Sequence, residues 1–416
     1  MADSPDANES APMIAMKRRM DDELDTMSSR SQKEIVGVTL TGVAPLPISA
    51  ASTSIAAFVG PLPAGPENTP VVIASHAEFA QTFSPMVDSP LAIAVSLFFA
   101  NGGTVARVVR IGSGAPDDEV SMPVLEALGH GVWALRDTTF NLLCVPPYTT
   151  GRDGDVSART RRAAAALCRE HRAIFVTDPL AAWSSGNDVV TGIRTAEWGL
   201  TPDSNVAVYW PWLSVSASAG GTTAVAPSGA VAGVIARVDT ARRVWKAPAG
   251  RDTAVVGLTG LAASATQADQ DAMNRAGINL LRSFDGIGPV VWGARTLAGD
   301  DTLASDWKYL PVRRLALFIE SSILQSTAWV AFEPNAEPLW RDLRNVVGTF
   351  LQGLFSAGAF QGRTARDAWF VKCDAGTMSQ DDIDNGRLIM QVGIAPLKPA
   401  EFVVLRISTA ARRPPP

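Results

Sequence analysis

The side chains that could do chemistry are few and scattered. Asp178 stands where an extended run, Ala173 to Thr177, gives way to Asp178-Pro179. The carboxyl end of a strand is where α/β enzymes place catalytic groups. Asp-Pro is equally a turn signal, and the turn is the stronger reading. Ser184, Ser185, Ser214 and Ser216 supply hydroxyls, but a nucleophilic serine needs a base within hydrogen-bond reach. No histidine neighbours them in sequence. The three histidines, His76, His130 and His171, stand far apart and beside no paired cysteines, so no zinc site is expected. Cys144, Cys168 and Cys373 are odd in number and widely spaced; they read as small buried hydrophobes in a reducing cytoplasm. No GxxxxGK[ST] phosphate loop or GxSxG elbow occurs, and Gly286 to Gly293 (GIGPVVWG) misses the GxGxxG spacing. No catalytic residue, metal or cofactor is therefore expected. An α/β hydrolase-like enzyme using Asp178 and the nearby serines stands as the alternative.

One cluster remains. Asp381, Asp382 and Asp384 crowd the segment TMSQDDIDNGR. Ser379 is an N-cap candidate with Asp382 three residues on, which places the acids in the first turns of a short helix. The helix dipole favours carboxylates there by ~0.3–1 kcal/mol each. A capped, solvated helix and a charged docking face are both consistent with this pattern. Ile383 and Leu388 should face inward, and Arg387 should pair with an acid of its own helix.

The elements around these residues follow from periodicity. The first thirty residues are polar and lack a strand pattern; they read as a flexible extension. Val36, Val38 and Leu40 then alternate with smaller residues, the period of a strand, stopped by Pro45 and Pro47. A strand is predicted at Ser54 to Gly60, and a helix opened by a Ser75/Glu78 capping box. A second, apolar helix runs from Ser89 to Ala100, followed by a strand from Thr104 to Ile111. Between about 111 and 289 strands (140–145, 173–177, 205–210) alternate with helices (158–171, 186–198, 230–240), which argues for a parallel α/β layer. Two helical stripes follow, Val312/Leu315/Ala316/Ile319/Ile323 and Leu339 to Leu354, then strands at 369–373, 388–394 and 402–407.

The chain has 416 residues, 47% of them hydrophobic and 19% charged, with a net charge of −5. That length predicts two or three domains. No basic excess supports nucleic-acid binding. Leu91 to Ala100 is about half the ~20 apolar residues a membrane span requires, and no secretory signal is expected. Direct membrane insertion is not expected.

Several stretches resemble contractile tail sheath proteins of phages, pyocins and related injection systems. They are STSIAAFVGPLPAGPENTPVVIASHAEFAQTF with FFANGGTVARVVRI, then APSGAVAGVIARVDTARRVWKAPAG, AGINLLRSF, VVWGARTL and YLPVRRLALFIESSI. WVAFEPNAEPLW and FVKCDAGTMSQDDIDNGRLIMQVGIAPLKPAEFVVLRI complete the series, in matching order over roughly Ile35 to Ile407. Two departures stand out. A strand that many family members carry almost at the first residue falls here near Ile35 to Thr41, and residues 113–225 match only in general character.

The resemblance implies a mixed α/β fold. Residues 31–111 and 290–416 would form the sheath core with terminal strand arms, and 112–289 an inserted, outward-facing α/β domain. It implies a structural protomer, not an enzyme, that polymerises helically around an inner tube and contracts. Its partners would be other copies, the inner tube protein, and baseplate and terminal cap proteins. Assembly would take place in the bacterial cytoplasm, in a phage tail or tail-like particle released or retained. Val36, Val38, Leu40, Val403, Leu405 and Ile407 would donate strands between subunits; the residues alone favour pairing of the first strand within its own chain. Asp381, Asp382 and Asp384 would dock the tube.

Overall fold

The computed structural model describes residues 46–86, 88–112, 126–149 and 155–398. The strands expected at 35–41 and 402–407 lie outside these residues.

The centre is one mixed sheet of eight strands. In chain order these are β1 (Ala56–Pro61), β2 (Val71–Ile73), β3 (Ala106–Ile111), β4 (Leu142–Cys144), β5 (Ile174–Thr177), β6 (Val206–Trp210), β10 (Ile278–Phe284) and β11 (Gly288–Val291). A smaller three-stranded sheet beside it holds β7 (Leu213–Ser216), β8 (Thr222–Val225) and β9 (Gly260–Leu261). The spatial order is β11-β10-β6-β5-β4-β1-β3-β2. The six inner strands are parallel, and the edge strands β2 and β11 are antiparallel to their neighbours.

Alternation assigns the two faces. Ala56 and Phe58 join one apolar core, Ala57 and Val59 the other. Helices α2 (Pro90–Ala100) and α5 (Ser228–Arg242) cover the first face. Helices α3 (Ala158–Glu170), α4 (Gly186–Gly192) and α6 (Gln267–Arg275) cover the second. Short α1 (His76–Phe83) precedes α2; Ser75 caps it through the Glu78 amide, while the Glu78 carboxylate reaches the Ala74 amide. Helices α2 and α5 touch backbone to backbone. A Cβ at Gly229 or Gly233 would stand 2.3 or 2.4 Å from the carbonyl oxygens of Ala94 and Phe98. Only glycine admits that approach.

The expected boundary at 111/112 does not divide the structure. Strand β1 lies between β3, on the near side of that boundary, and β4, beyond it. Backbone hydrogen bonding thus joins the region expected to be an insertion to the N-terminal strands. The helix expected over 186–198 is also shorter, ending at Gly192. Thr191, Gly192 and Thr195 are poor helix formers, and the Thr195 hydroxyl donates to the Gly192 carbonyl oxygen.

Beyond 302 comes a smaller assembly. Helix α7 (Leu310–Ser326) leads to α8 (Glu337–Ser356), which opens with Pro338 in its first turn. After α9 (Ala365–Ala368), a two-stranded antiparallel sheet pairs β12 (Trp369–Lys372) with β13 (Gln391–Ile394), and α10 (Gln380–Asp384) lies between them in the chain. Leu315, Phe318, Ile319 and Val347 pack with Val244, which ties this assembly to the end of α5. A buried Arg314–Asp239 pair reinforces the joint, with nitrogen–oxygen distances of 2.8 and 2.6 Å. Among the described residues no helix is long and apolar enough to cross a membrane.

Candidate subunit interfaces

Asp178 ends β5 as the sequence predicts, but it faces inward. It is 5% exposed, and its Oδ1 accepts from the Ser228 amide at 2.8 Å, capping the first turn of α5. Burial pushes its carboxyl up to about 7, against the lowering effects of the Ser228 amide hydrogen bond and the Arg161 guanidinium. Arg161 is itself lowered to about 10 by burial, and lies 4.6 Å from the centre of the Trp198 ring. The serines named with Asp178 do other work. Ser185 caps α4 in a reciprocal box with Asp188. Ser214 and Ser216 lie in β7, whose partners are β8 and β9. The hydrolase reading is corrected on these grounds. The carboxylate serves a helix end in the interior, and the hydroxyls belong to a cap and a small sheet. Gly286 and Gly288 have positive φ and turn the β10–β11 hairpin, so GIGPVVWG forms no phosphate cradle. All three cysteines are buried and unpaired.

The acidic segment folds as its spacing predicts. The Ser379 hydroxyl accepts from the Asp382 amide at 3.2 Å, and the Asp382 carboxylate accepts from the Ser379 amide at 2.9 Å. Arg387 donates to both Asp381 and Asp382. The bonds from the Ser379 side chain and backbone hold the Asp382 carboxyl below the ordinary range, and Arg387 adds to this. Asp384 accepts from Gln380 at 2.8 Å. Ile383 and Leu388 pack against the cluster of Leu339, Trp340, Leu343, Cys373 and Met378. The three acids are therefore not equivalent. Asp382 builds the turn, whereas the side chain of Asp381 is 74% exposed and Asp384 is also at the surface.

The β12–β13 sheet has no third strand among the described residues. Trp369, Val371 and Val392 lean on the α7–α8 core, and the Trp369 ring lies against Gly348 of α8. Gln361 and Phe360 cover the far end of β13, where the Gln361 amide donates to the Ala395 oxygen at 2.8 Å. A two-stranded ribbon is marginal by itself, and three strands or a helical support are needed for stability. This one has the helical support and, among the described residues, two strands. The residues expected to supply strands, Val36, Val38, Leu40, Val403, Leu405 and Ile407, lie outside the described residues.

The sequence reading missed Arg314. Its signal was available: an arginine among Val312, Leu315, Ala316 and Ile319 on an apolar helix face must meet a buried partner.

The family description "Phage tail sheath protein central domain" matches residues 132–297, and "Phage tail sheath C-terminal domain" matches 302–409. The tail sheath protein of Vibrio phage KVP40 is 26% identical over 179 residues, 43% of this chain. That match spans 25% of the phage protein's own length. The contracted helical sheath of the anti-feeding prophage superposes with a TM-score of 0.70 at 27% identity, over 91% of this chain and 99% of that one. The contracted sheath of the extracellular contractile injection system PVC gives 0.68 at 27% identity, over 91% and 98%. With the two domain matches in order over more than half of its length and one fold shared with sheaths over nine-tenths of it, the chain belongs to the contractile tail sheath family.

Proposed function

We propose that the chain works as the protomer of a contractile sheath, polymerising helically around an inner tube on a baseplate and driving the tube forward when the sheath contracts. The observation that carries this reading is the β12–β13 ribbon, supported on one side by helices and with no third strand among the described residues. A strand added from another copy satisfies backbone groups along the ribbon edge. Val36, Val38 and Leu40, and Val403, Leu405 and Ile407, carry the alternating pattern such strands need. Contacts of this kind are heterologous and do not close, so they generate a helix of subunits. The segment 112–289 would face outward. Asp381 and Asp384 would meet basic residues of the tube protein, with Asp382 holding their helix in shape. Individual exposed pairs of this kind contribute only about 0–1 kcal/mol, which suits a contact repeated along a polymer and released on contraction. Energy for contraction would reside in the packing of the extended lattice, with no catalytic centre in the protomer. Assembly would take place in the bacterial cytoplasm, with a terminal cap closing the sheath.

The test is removal of residues 1–42, with 1–29 removed as the control. The longer truncation is expected to leave a folded, soluble protomer that builds no long sheaths in negative-stain microscopy. The shorter one is expected to build normal striated cylinders. Normal cylinders from both would refute strand donation by the N-terminal segment.

A further inference from the structure

The stretch just before β1 is held in an unusual way. Residues 49, 51 and 53 follow α7 outside any strand and are fastened to it by side chains. The Ser49 amide donates to the Ser326 hydroxyl at 2.9 Å, and the Ala51 amide to the Ser322 hydroxyl at 3.0 Å. The Thr53 carbonyl accepts from the Arg314 guanidinium at 2.9 Å. The periods of strand and helix explain the fit. Two residues of extended chain advance about 6.7 Å, and four residues of α-helix about 6.0 Å. Positions 49 and 51 therefore match 326 and 322, running antiparallel, and the long Arg314 side chain reaches the next position from one turn further away. Two of the three anchors, Ser322 and Arg314, are themselves fixed. The Ser322 hydroxyl donates to the Phe318 carbonyl at 2.7 Å, which turns its lone pairs to the Ala51 amide. Arg314 is locked by both oxygens of Asp239 on α5.

The other edge of the same stretch is handled by one residue. Asn141 donates to the Ser52 carbonyl at 2.8 Å and accepts from the Ile55 amide at 3.0 Å, just ahead of β4. The chain thus passes from the helix seam onto the sheet within a few residues, with backbone groups engaged on both sides.

We propose that Ser322, Ser326 and Arg314 are positioning residues that fix residues 49–53 along α7 and so set the place on the protomer from which the preceding chain departs, which sheath assembly depends on. The seam is local to one protomer; only its consequence for assembly rests on the sheath reading. It places residues 49–53 at the joint of α5 and α7, where Asp239, Arg314 and Thr53 meet.

The experiment uses the full chain. The double variant Ser322→Ala/Ser326→Ala removes both acceptors, and Ser322→Thr/Ser326→Thr keeps them. Hydrogen exchange is measured on peptides covering residues 46–55 and on α7. Exchange of the Ser49 and Ala51 amides is expected to rise at least tenfold in the alanine variant, with α7 unchanged and the threonine variant like wild type. Assembled with the tube protein, the alanine variant is expected to give short or irregular extended sheaths. Unchanged exchange over 46–55 would overturn the seam. Raised exchange with normal long sheaths would overturn its role in assembly. Failure of the wild-type chain to form any cylinder would count against the sheath reading, with the exchange result still deciding the seam.

Discussion

Asp178→Asn is the sharpest single test of the interior chemistry. Burial raises the Asp178 carboxyl from 3.8 to about 7, so the folded state holds its proton where the unfolded chain has lost it. A group raised in this way contributes stability that is fully present below pH 4 and is lost as pH climbs through about 7. At ~1.36 kcal/mol per pKa unit, a shift of about three units corresponds to roughly 4 kcal/mol. Asparagine keeps the oxygen that accepts from the Ser228 amide and cannot ionise. The expected result is near-equal stability of the two proteins at pH 4, and a variant more stable by up to roughly 4 kcal/mol above pH 7. Urea unfolding of dilute protomer, followed by tryptophan fluorescence from pH 4 to 8.5, measures this directly. Helix-terminus and Arg161 attraction both favour the ionised form. If they win, asparagine destabilises the protein at high pH and the difference between the two proteins has the opposite slope. A flat difference across the range would show that Asp178 does not titrate between the folded and unfolded values, and the reasoning would fail.

Removing one member of the buried pair, by Arg314→Met or Asp239→Leu, is expected to cost about 3–5 kcal/mol in urea unfolding, and the double replacement to recover most of that. Equal loss in the single and double variants would mean the pair has no mutual dependence. Gly229→Ala should cost about 1–3 kcal/mol by forcing α5 away from the Ala94 carbonyl; an unchanged melting temperature would refute the close approach. Asp381→Asn with Asp384→Asn, sparing the capping Asp382, is expected to abolish extended sheaths assembled with the tube protein while empty contracted ones still form. Normal extended particles at both low and raised salt would reject the docking role.

Much of this protein was legible in one dimension. The helices at 76–83, 90–100, 158–170, 310–326 and 337–356 announce themselves by apolar spacing and by Ser or Pro at their starts. Caps are local, so Ser75, Ser379 and Asp382 are read correctly from neighbours three residues away. The family was legible because blocks in a fixed order carry more information than any single motif. The β7–β8 hairpin was written in the sequence as well. Leu213 and Val215 alternate with Ser214 and Ser216 ahead of Gly220-Gly221, both at positive φ. Its serines drew attention as nucleophiles instead of as the polar face of a strand.

What the sequence could not decide is long-range. The order of strands in the sheet depends on crossovers, and nothing local says that β4 pairs with β1 when the chain has just left β3; the boundary near 112 was therefore drawn through a continuous sheet. Whether Asp178 is a catalyst or an interior cap depends on Ser228, fifty residues away. The partner of Arg314 lies 75 residues upstream, and the seam that holds Ser49 and Ala51 joins segments more than 270 residues apart. Periodicity specifies which face of an element is buried. Only tertiary packing specifies what it is buried against, because that choice is set by matching shapes and polar groups between segments that share no local sequence.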